Sequence, residues 1–295
     1  MKKTATFYSH SCHLLAFFVL GNAVTTLPSA SADSYTFLGY ILSSAALFLA
    51  LLGFYPLCTK LFLTEGKNKT GKVLRITVFL AAAVFSAFCL GDSFLSFIYL
   101  SRRLLLPNSS SFAVVVILLV VIAYFGLRRQ ESVLKFALLA FWFCFAIILF
   151  FFIASAGEYN LRNIFVFRLP SFKNLFEQSL PYLKNPMSFC LLLPVYEVLV
   201  FRKRSKSALF TGVFTGILML GLCLLNSLLL FGPFLSGELD FAYCEAVSSV
   251  SVGRLFTRLD CFAYLIFFVS ILLRITVCIF IIKTVLKKIS FALGK

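Results

Sequence analysis

Three ionisable residues lie inside apolar stretches of the sequence, where a charge is expensive to maintain. They are Asp92, Glu197 and Arg274. A lone charge in hydrocarbon costs at least about 2.5 kcal/mol on insertion scales, so such residues face a protein interior and find partners there. We expect Arg274 to pair with Asp92 or with Glu197, and all three to be candidates for binding a polar ligand. The alternative is that the two carboxylates lie near the membrane faces and are simply solvated.

A second kind of candidate is an irregular backbone in the first apolar stretch. The run from Gly21 to Pro28 contains small and polar residues and ends in a proline, so it forms helix poorly. A helix break at membrane depth is tolerated only where protein or a water-filled cavity satisfies the freed backbone groups. We therefore predict a ligand site at this break, with small side chains that allow close approach to the backbone. Its candidate ligand-binding residues are Gly21, Asn22, Thr25, Thr26 and Pro28.

The sixth apolar stretch is short and also contains a proline. Its roughly fifteen residues, about 22 Å as a helix, include Pro194, Tyr196 and Glu197. Interrupted helices at positions one and six have the register of an inverted five-plus-five repeat with two broken helices. We predict that these three residues share one ligand site with the first break. The alternative is that glycine and proline are ordinary residues of membrane helices here.

The sequence lacks the motifs of common catalytic centres. It has no GxSxG, no P-loop and no HExxH, and its nine cysteines are scattered singly beside only two histidines. We therefore expect no enzymatic activity, no cofactor and no metal site. Cys244 and Cys261 could form a disulfide, although two separate thiols are the favoured interpretation.

Composition identifies the solvent of most of the chain as lipid. Hydrophobic residues make up 61% of the sequence and charged residues 13%, with 38 phenylalanines, which a water-soluble domain could not cover with polar surface. A bilayer core of about 30 Å needs about 20 apolar residues in a helix. We predict an all-α polytopic protein with one integral membrane domain, residues 1–295. Its eight predicted transmembrane helices cover approximately residues 13–28, 36–58, 73–100, 112–127, 133–154, 187–201, 208–234 and 261–286.

The net charge of +16 is explained by membrane orientation. When the loops alternate between sides, 17 of the 27 basic residues fall on one side and eight on the other. Cytoplasmic loops collect lysine and arginine, so both chain ends are predicted to be cytoplasmic. The charge therefore requires no nucleic-acid partner.

The first thirty residues admit a second interpretation. Lys2 and Lys3, an apolar stretch, and Ala30-Ser31-Ala32 before Asp33 imitate a secretory signal with its cleavage site. Cleavage would leave seven helices with the new N-terminus outside. We expect the segment to be retained as the first helix.

The long outer loop before the sixth helix has a helical pattern of its own. Between Pro170 and Pro186, apolar residues recur at helical spacing. We predict a short helix on the membrane surface or across the mouth of the bundle. The alternative is a loop with incidental apolar residues.

Two segments of the sequence resemble the spore germination permeases. The first is Leu20-Gly21-Asn22-Ala23 through Leu27-Pro28, followed by Ala30, Ala32 and Asp33. The second is Arg258-Leu259-Asp260-Cys261-Phe262 leading into an apolar helix with Arg274, which is similar to the family's arginine-x-aspartate entry to its eighth helix. These permeases are the B subunits of nutrient germinant receptors and belong to the amino acid/polyamine/organocation transporter superfamily.

The resemblance implies a ligand site between the first, third, sixth and eighth helices. It also implies ten helices, whereas the sequence ends at Lys295 after the eighth, so we expect a shortened five-plus-five fold without the last two. The sixth helix departs from the family as well, because Glu197 follows Pro194 and the family's glycine-glutamate pattern is not clear. Ligand binding is expected to survive these departures more readily than full transport.

The leading functional hypothesis is a membrane subunit that senses a small, amino-acid-like nutrient during spore germination. Its expected partners are membrane lipid, the nutrient and the other germinant-receptor subunits, and its expected location is the inner spore membrane. One alternative is a permease for amino acids or other small solutes. A second is a structural or assembly subunit that does not transport.

Overall fold

The regular structure of the described residues is helical. A computed structural model describes residues 2–21, 36–63, 69–102, 111–165, 172–182, 188–201, 206–239, 241–249 and 260–293. Its α-helices are α1 (Lys2–Leu20), α2 (Thr36–Leu63), α3 (Lys69–Leu100), α4 (Ser111–Leu127), α5 (Gln130–Ala154), α6 (Arg162–Phe165), α7 (Phe172–Tyr182), α8 (Leu192–Phe201), α9 (Lys206–Glu238), α10 (Ala242–Ser249) and α11 (Asp260–Leu293). Short 3-10 turns at Ser155–Glu158 and Ser188–Leu191 precede α6 and α8.

Each predicted transmembrane segment overlaps an α-helix, which confirms the all-helical part of the prediction. Five segments are long and apolar enough to cross a membrane: Phe37–Phe62, Ile76–Leu100, Gln130–Glu158, Lys206–Gly232 and Cys261–Ser290. Shorter apolar segments, Ser11–Leu20, Leu118–Leu127 and Phe189–Leu199, lie in α1, α4 and around α8. The count of eight crossings stays a prediction.

The outer faces of the long helices are strongly apolar. Leu49 on α2, Phe88 on α3 and Leu139 on α5 are 69%, 70% and 71% exposed. A water-soluble monomer rarely exposes such side chains in extended patches. Lipid is the environment that stabilises them, because its hydrocarbon core favours leucine and phenylalanine.

Helix α1 occupies the interior of the bundle. From Leu14 to Leu20 no side chain is more than 1% exposed. The helix packs against α9, α5 and α11. Cleavage as a secretory signal would remove this buried helix, and its retention stays a prediction.

A pair of glycines brings α1 and α9 into backbone contact. A Cβ atom on Gly212 would lie 2.6 Å from the carbonyl oxygen of Cys12, and one on Gly216 would lie 2.6 Å from that of Ala16. Small residues four positions apart let two membrane helices approach this closely. The G-x-x-x-G spacing of Gly212 and Gly216 in the sequence is the signal for this close contact.

The remaining long helices form two sets around α1. In one set α2 packs against α8 and α9, and in the other α11 packs along α3 and against α4. Contacts of α11 with α1 and α8 join the two sets. The candidate site lies where they meet.

The outer part of α9 is kinked at Gly232, which has φ 74° and ψ 174°. Pro233 follows and has no N–H, so the carbonyl of Leu229 loses its intrahelical donor. That oxygen accepts hydrogen bonds from the Asn160 backbone N–H and from Asn163 Nδ2, both at 3.1 Å. The segment after α5 therefore satisfies the break in α9.

Tyr159 makes a second connection between the same two regions. Its hydroxyl oxygen lies 2.6 Å from the carbonyl oxygen of Phe152 and 2.8 Å from Oδ1 of Asn226. Burial raises the pKa of Tyr159 to about 12, although a hydrogen bond with Ser155 opposes the shift. The phenol consequently stays protonated near neutral pH and can act as a donor.

Two predictions about the connecting segments can be compared with the structure. The short helix expected between Pro170 and Pro186 is confirmed as α7, which packs against α2. Cys244 is buried in α10, whereas Cys261 is exposed near the start of α11. No disulfide joins these two cysteines.

Candidate functional site

The buried guanidinium of Arg274 is the centre of the candidate site. Arg274 lies in α11 and is 0% exposed. Its Nη2 atom donates to Asp92 Oδ2 at 3.0 Å, and its Nη1 atom donates to the carbonyl oxygen of Gly21 at 3.3 Å. Its Nε atom donates to Cys89 Sγ at 3.4 Å. One side chain thereby connects α11 with α3 and with the end of α1.

The surroundings of Arg274 compensate the cost of burying its charge. Asp92 supplies a counter-ion, and Cys89 one turn earlier on α3 supplies a weak acceptor. The guanidinium carbon also lies 4.9 Å from the ring centroid of Phe189 and 5.7 Å from that of Phe18, distances typical of cation–π contacts. A lone buried charge would be strongly destabilising, whereas this set of partners makes it tolerable.

Only one residue of the Arg274–Asp92 pair is exposed. The Asp92 side chain is 38% exposed, whereas the Arg274 side chain is completely enclosed. A carboxylate at membrane depth faces a bundle interior or a water-filled cavity, because exposure to lipid is costly. Of the two charged groups, the Asp92 carboxylate is therefore the one that a polar molecule can reach.

Helix α1 ends where the sequence predicted a break, although the neighbourhood of Gly21 differs from the expectation. The Gly21 N–H donates to the carbonyl of Phe17 at 2.8 Å, and the helix continues no further than Leu20. A Cβ atom on Gly21 would lie only 3.0 Å from the carbonyl oxygen of Ser270. The space beside Gly21 is therefore filled by the backbone of α11, and the room expected there for a ligand is absent. The other predicted residues of the break, Asn22, Thr25, Thr26 and Pro28, lie outside the described residues.

The interruption expected at Pro194 is displaced toward the N-terminus. Helix α8 runs without a break from Leu192 to Phe201, and the irregular backbone is the 3-10 turn Ser188–Leu191 before it. Pro194 lies in the first turn of α8, where its missing N–H would have no intrahelical partner in any case. Pro194 therefore lies at the beginning of a helix and does not interrupt one.

Tyr196 and Glu197 are both 0% exposed, but they are not partners of Arg274. The pairing expectation is thus resolved in favour of Asp92. Neither oxygen of Glu197 has a hydrogen-bond partner within the described part of the chain. The structure brings together Gly21, Asp92 and Arg274, and it places Glu197 apart from them.

Sequence reasoning missed the aromatic and thiol partners of the arginine. Phe18 comes three residues before Gly21, and Cys89 comes three residues before Asp92, so each shares a helix face with a predicted site residue. This spacing was the available signal. Phe189 precedes α8 in the 3-10 turn, and nothing in the sequence pattern indicated its contact.

Comparison with known proteins agrees with this architecture. No curated protein matches the chain significantly. A family model described as spore germination protein matches residues 8–292, from within α1 to the end of α11. A match over nearly the whole length, together with the apolar helices, makes this a multi-pass membrane protein with a role in germination. The chain therefore belongs to the spore germination protein family of permease-like membrane proteins.

Proposed function

We propose that the chain is a non-enzymatic membrane subunit that senses a small, amino-acid-like nutrient during spore germination. The observation that carries the proposal is the buried Arg274, which joins Asp92 on α3 to the carbonyl of Gly21 at the end of α1. Three helices meet at one enclosed charge. Membership of the family supplies the context of germination.

The charges at this meeting point suit a zwitterion. Arg274 and Asp92 neutralise each other, so the site carries no net charge to attract an anion or a cation alone. Oδ1 of Asp92 makes no hydrogen bond within the described residues, and the C-terminal end of α1 carries a partial negative charge. Both features favour an ammonium group. A partner for the carboxylate is proposed in the predicted break from Asn22 to Pro28, which lies outside the described residues.

The wider arrangement proposed for the chain follows from the helices and the loop charges. We propose eight crossings, made by the five long apolar segments and the three shorter ones, in an inverted-repeat fold. Both termini would be cytoplasmic and the membrane would be the inner spore membrane. The partners would be membrane lipid and the other subunits of a germinant-receptor-like complex.

Transport is the alternative function that a specific observation favours. The site lies between two sets of helices, α1 with α2, α8 and α9, and α3 with α4 and α11. Rocking of one set of helices against another around a fixed site is how many transporters alternate access. Uptake of radiolabelled amino acids into proteoliposomes would support a permease, whereas binding without uptake would support a sensor.

Binding can be tested with the purified chain in lipid nanodiscs. Each of the twenty amino acids is added, and the shift in thermal unfolding is measured. A ligand at about 100 times its Kd stabilises the folded state by about 2.7 kcal/mol. Asp92→Asn and Arg274→Lys should lose the shift, and Glu245→Gln, an exposed position on α10, should keep it.

Two outcomes would contradict the proposed site. If no amino acid shifts the parent chain, the third candidate, a structural or assembly subunit, becomes the better account. If a ligand shifts the parent and both site variants equally, the ligand binds elsewhere in the molecule.

A further inference from the structure

Glu197 is a fully buried carboxyl group that the proposed nutrient site does not use. It lies in the middle of α8 between buried Tyr196 and Val198, and it is 0% exposed. Neither Oε1 nor Oε2 has a hydrogen-bond partner in the described part of the chain. Ionisable groups in this position inside membrane proteins are uncommon and are usually functional.

The carboxyl group lies at a different level of the bundle from Arg274. It interacts electrostatically with the thiol of Cys12 on α1. Cys12 comes nine residues before Gly21, which places it about 13 Å away along the helix axis. Arg274 contacts Gly21 and is already paired with Asp92, so it does not neutralise Glu197.

Among the described residues, the titratable or charged groups around α8 supply no counter-ion in contact with Glu197. Cys12 and the adjacent Tyr196 interact electrostatically with the carboxyl, and neither is a cation. His13 has its Nδ1 atom 3.5 Å from Cys12 Sγ, and its ring packs edge-on against Phe141 of α5. On the helices packed against α8, the interior or nearby groups are Tyr55 on α2, Cys89 on α3, Lys206 on α9, and Arg274 and Cys278 on α11. The Lys206 ammonium lies 5.9 Å from the ring centroid of Tyr55, and Lys206 is exposed.

The ionised form of Glu197 is therefore unfavourable in this environment. Burying an unpaired charge costs several kcal/mol, and a group in this situation becomes neutral instead. A hard metal cation is also a poor occupant, because it needs about six oxygen ligands. Within the described residues, neither Glu197 oxygen has a hydrogen-bond partner, and there is no group of three or more histidine, cysteine, aspartate or glutamate side chains that could hold a metal ion. A proton needs no further ligand.

We propose that Glu197 is a proton-binding site. Its carboxyl group carries a proton while α8 is packed against α2 and α11. When water reaches the Glu197 side chain, the O–H bond breaks, the proton passes to water and the carboxylate remains. Protonation thereby favours the closed packing of α8, and deprotonation favours a hydrated one. The nutrient site is not required for this behaviour.

Infrared spectroscopy tests the protonation state directly. The parent chain in nanodiscs at neutral pH should show the carbonyl band of a protonated carboxylic acid, and the band should shift in D2O. Glu197→Gln, which has the shape of the protonated acid and should fold, should remove that band. Glu245→Gln removes an exposed carboxylate on α10 and should leave the band in place.

Cys12 is a natural reporter of water entry beside Glu197. Its alkylation by N-ethylmaleimide is measured by peptide mass spectrometry relative to Cys261, which is exposed. With rising pH the Cys12 to Cys261 ratio should increase several-fold in the parent. The ratio should stay level in Glu197→Gln, because the amide cannot release a proton. The Gln variant also corrects for the ordinary rise of thiol reactivity with pH.

Two results would overturn the proposal. The first is a carboxylic acid band that is absent from the parent or unchanged by Glu197→Gln. The second is an alkylation ratio with the same pH dependence in the parent and in the Gln variant. The infrared spectrum of the parent in D2O remains decisive even if the variant is poorly produced, since absence of the band alone refutes the proposal.

Discussion

Arg274 and Asp92 form a salt bridge of 3.0 Å in which the cation is wholly enclosed and the anion is 38% exposed. The two partners are therefore not equivalent. Removing the aspartate leaves a buried positive charge, whereas removing the arginine leaves a carboxylate that is already partly exposed.

This difference in exposure predicts which of two substitutions destabilises the chain more. Asp92→Asn should destabilise the chain by on the order of 3 kcal/mol, because breaking a buried pair strands the remaining charge. Arg274→Met should cost less than half as much. Thermal unfolding in detergent compares them, with Arg274→Met/Asp92→Asn as the double variant. A larger loss for Arg274→Met would show that its contacts with Phe18 and Phe189 outweigh the stranded charge.

Replacing Gly21 should disturb packing before it disturbs any ligand. In Gly21→Ala the new methyl group would meet the Ser270 carbonyl oxygen at 3.0 Å, so α1 and α11 must separate slightly. We expect a loss of about 1 kcal/mol or more, as in other overpacked sites. The matched control is Gly91→Ala. A Cβ atom there would have no neighbour from another part of the chain within 4 Å, and helix propensity favours alanine. Equal melting temperatures for the parent and Gly21→Ala would contradict this account.

The glycine pair on α9 should tolerate substitution even less. Gly212→Ala and Gly216→Ala each place a methyl group 2.6 Å from a carbonyl oxygen of α1. The backbone of α1 cannot rotate away as a side chain can. Each substitution should therefore lower the stability of the chain by about 2 to 3 kcal/mol. Gly221→Ala, on the same helix and 3.4 Å from the Tyr40 ring, is the control and should change stability little. Yield of folded protein and melting temperature are the measurements.

Stability should fall at high pH through Tyr159. Its pKa of about 12 lies above the ordinary value of 10.0, so the folded state holds the phenol proton more tightly than the unfolded state. The resulting stabilisation is complete below about pH 10 and is lost as the pH rises through 12. Tyr159→Phe should weaken this alkaline loss while lowering stability at neutral pH, because Phe152 and Asn226 lose a partner. Parallel alkaline melting profiles in the two proteins would refute the assignment.

The loop charges predict which side of the membrane each loop faces. Single cysteines at Lys67 and Lys203, in a background without the nine native cysteines, should resist an impermeant maleimide in sealed cells. A single cysteine at Glu245, exposed on α10, should react. Reaction at Lys67 or Lys203 would reverse the proposed orientation.

Sequence reasoning found the helices and the charged residues because both follow from local composition. Apolar stretches about as long as a bilayer is thick must be helical, and a buried arginine must have a counter-ion. The sequence could not show whether Arg274 pairs with Asp92 or with Glu197, because the pairing depends on how α3, α8 and α11 are rotated about their axes. The prediction of space for a ligand beside Gly21 was wrong for a related reason. A glycine permits close approach to its backbone, but the approaching group can be either a ligand or a neighbouring helix.

The contact between Cys12 and Gly212 has a consequence for how the molecule is assembled. The two residues are 200 positions apart in the chain, and α5 and α11, which also enclose α1, come long after it. Helix α1 thus precedes α5, α9 and α11 in synthesis and cannot reach its final surroundings until they have been made. During biogenesis its small-residue contacts must remain open in the bilayer.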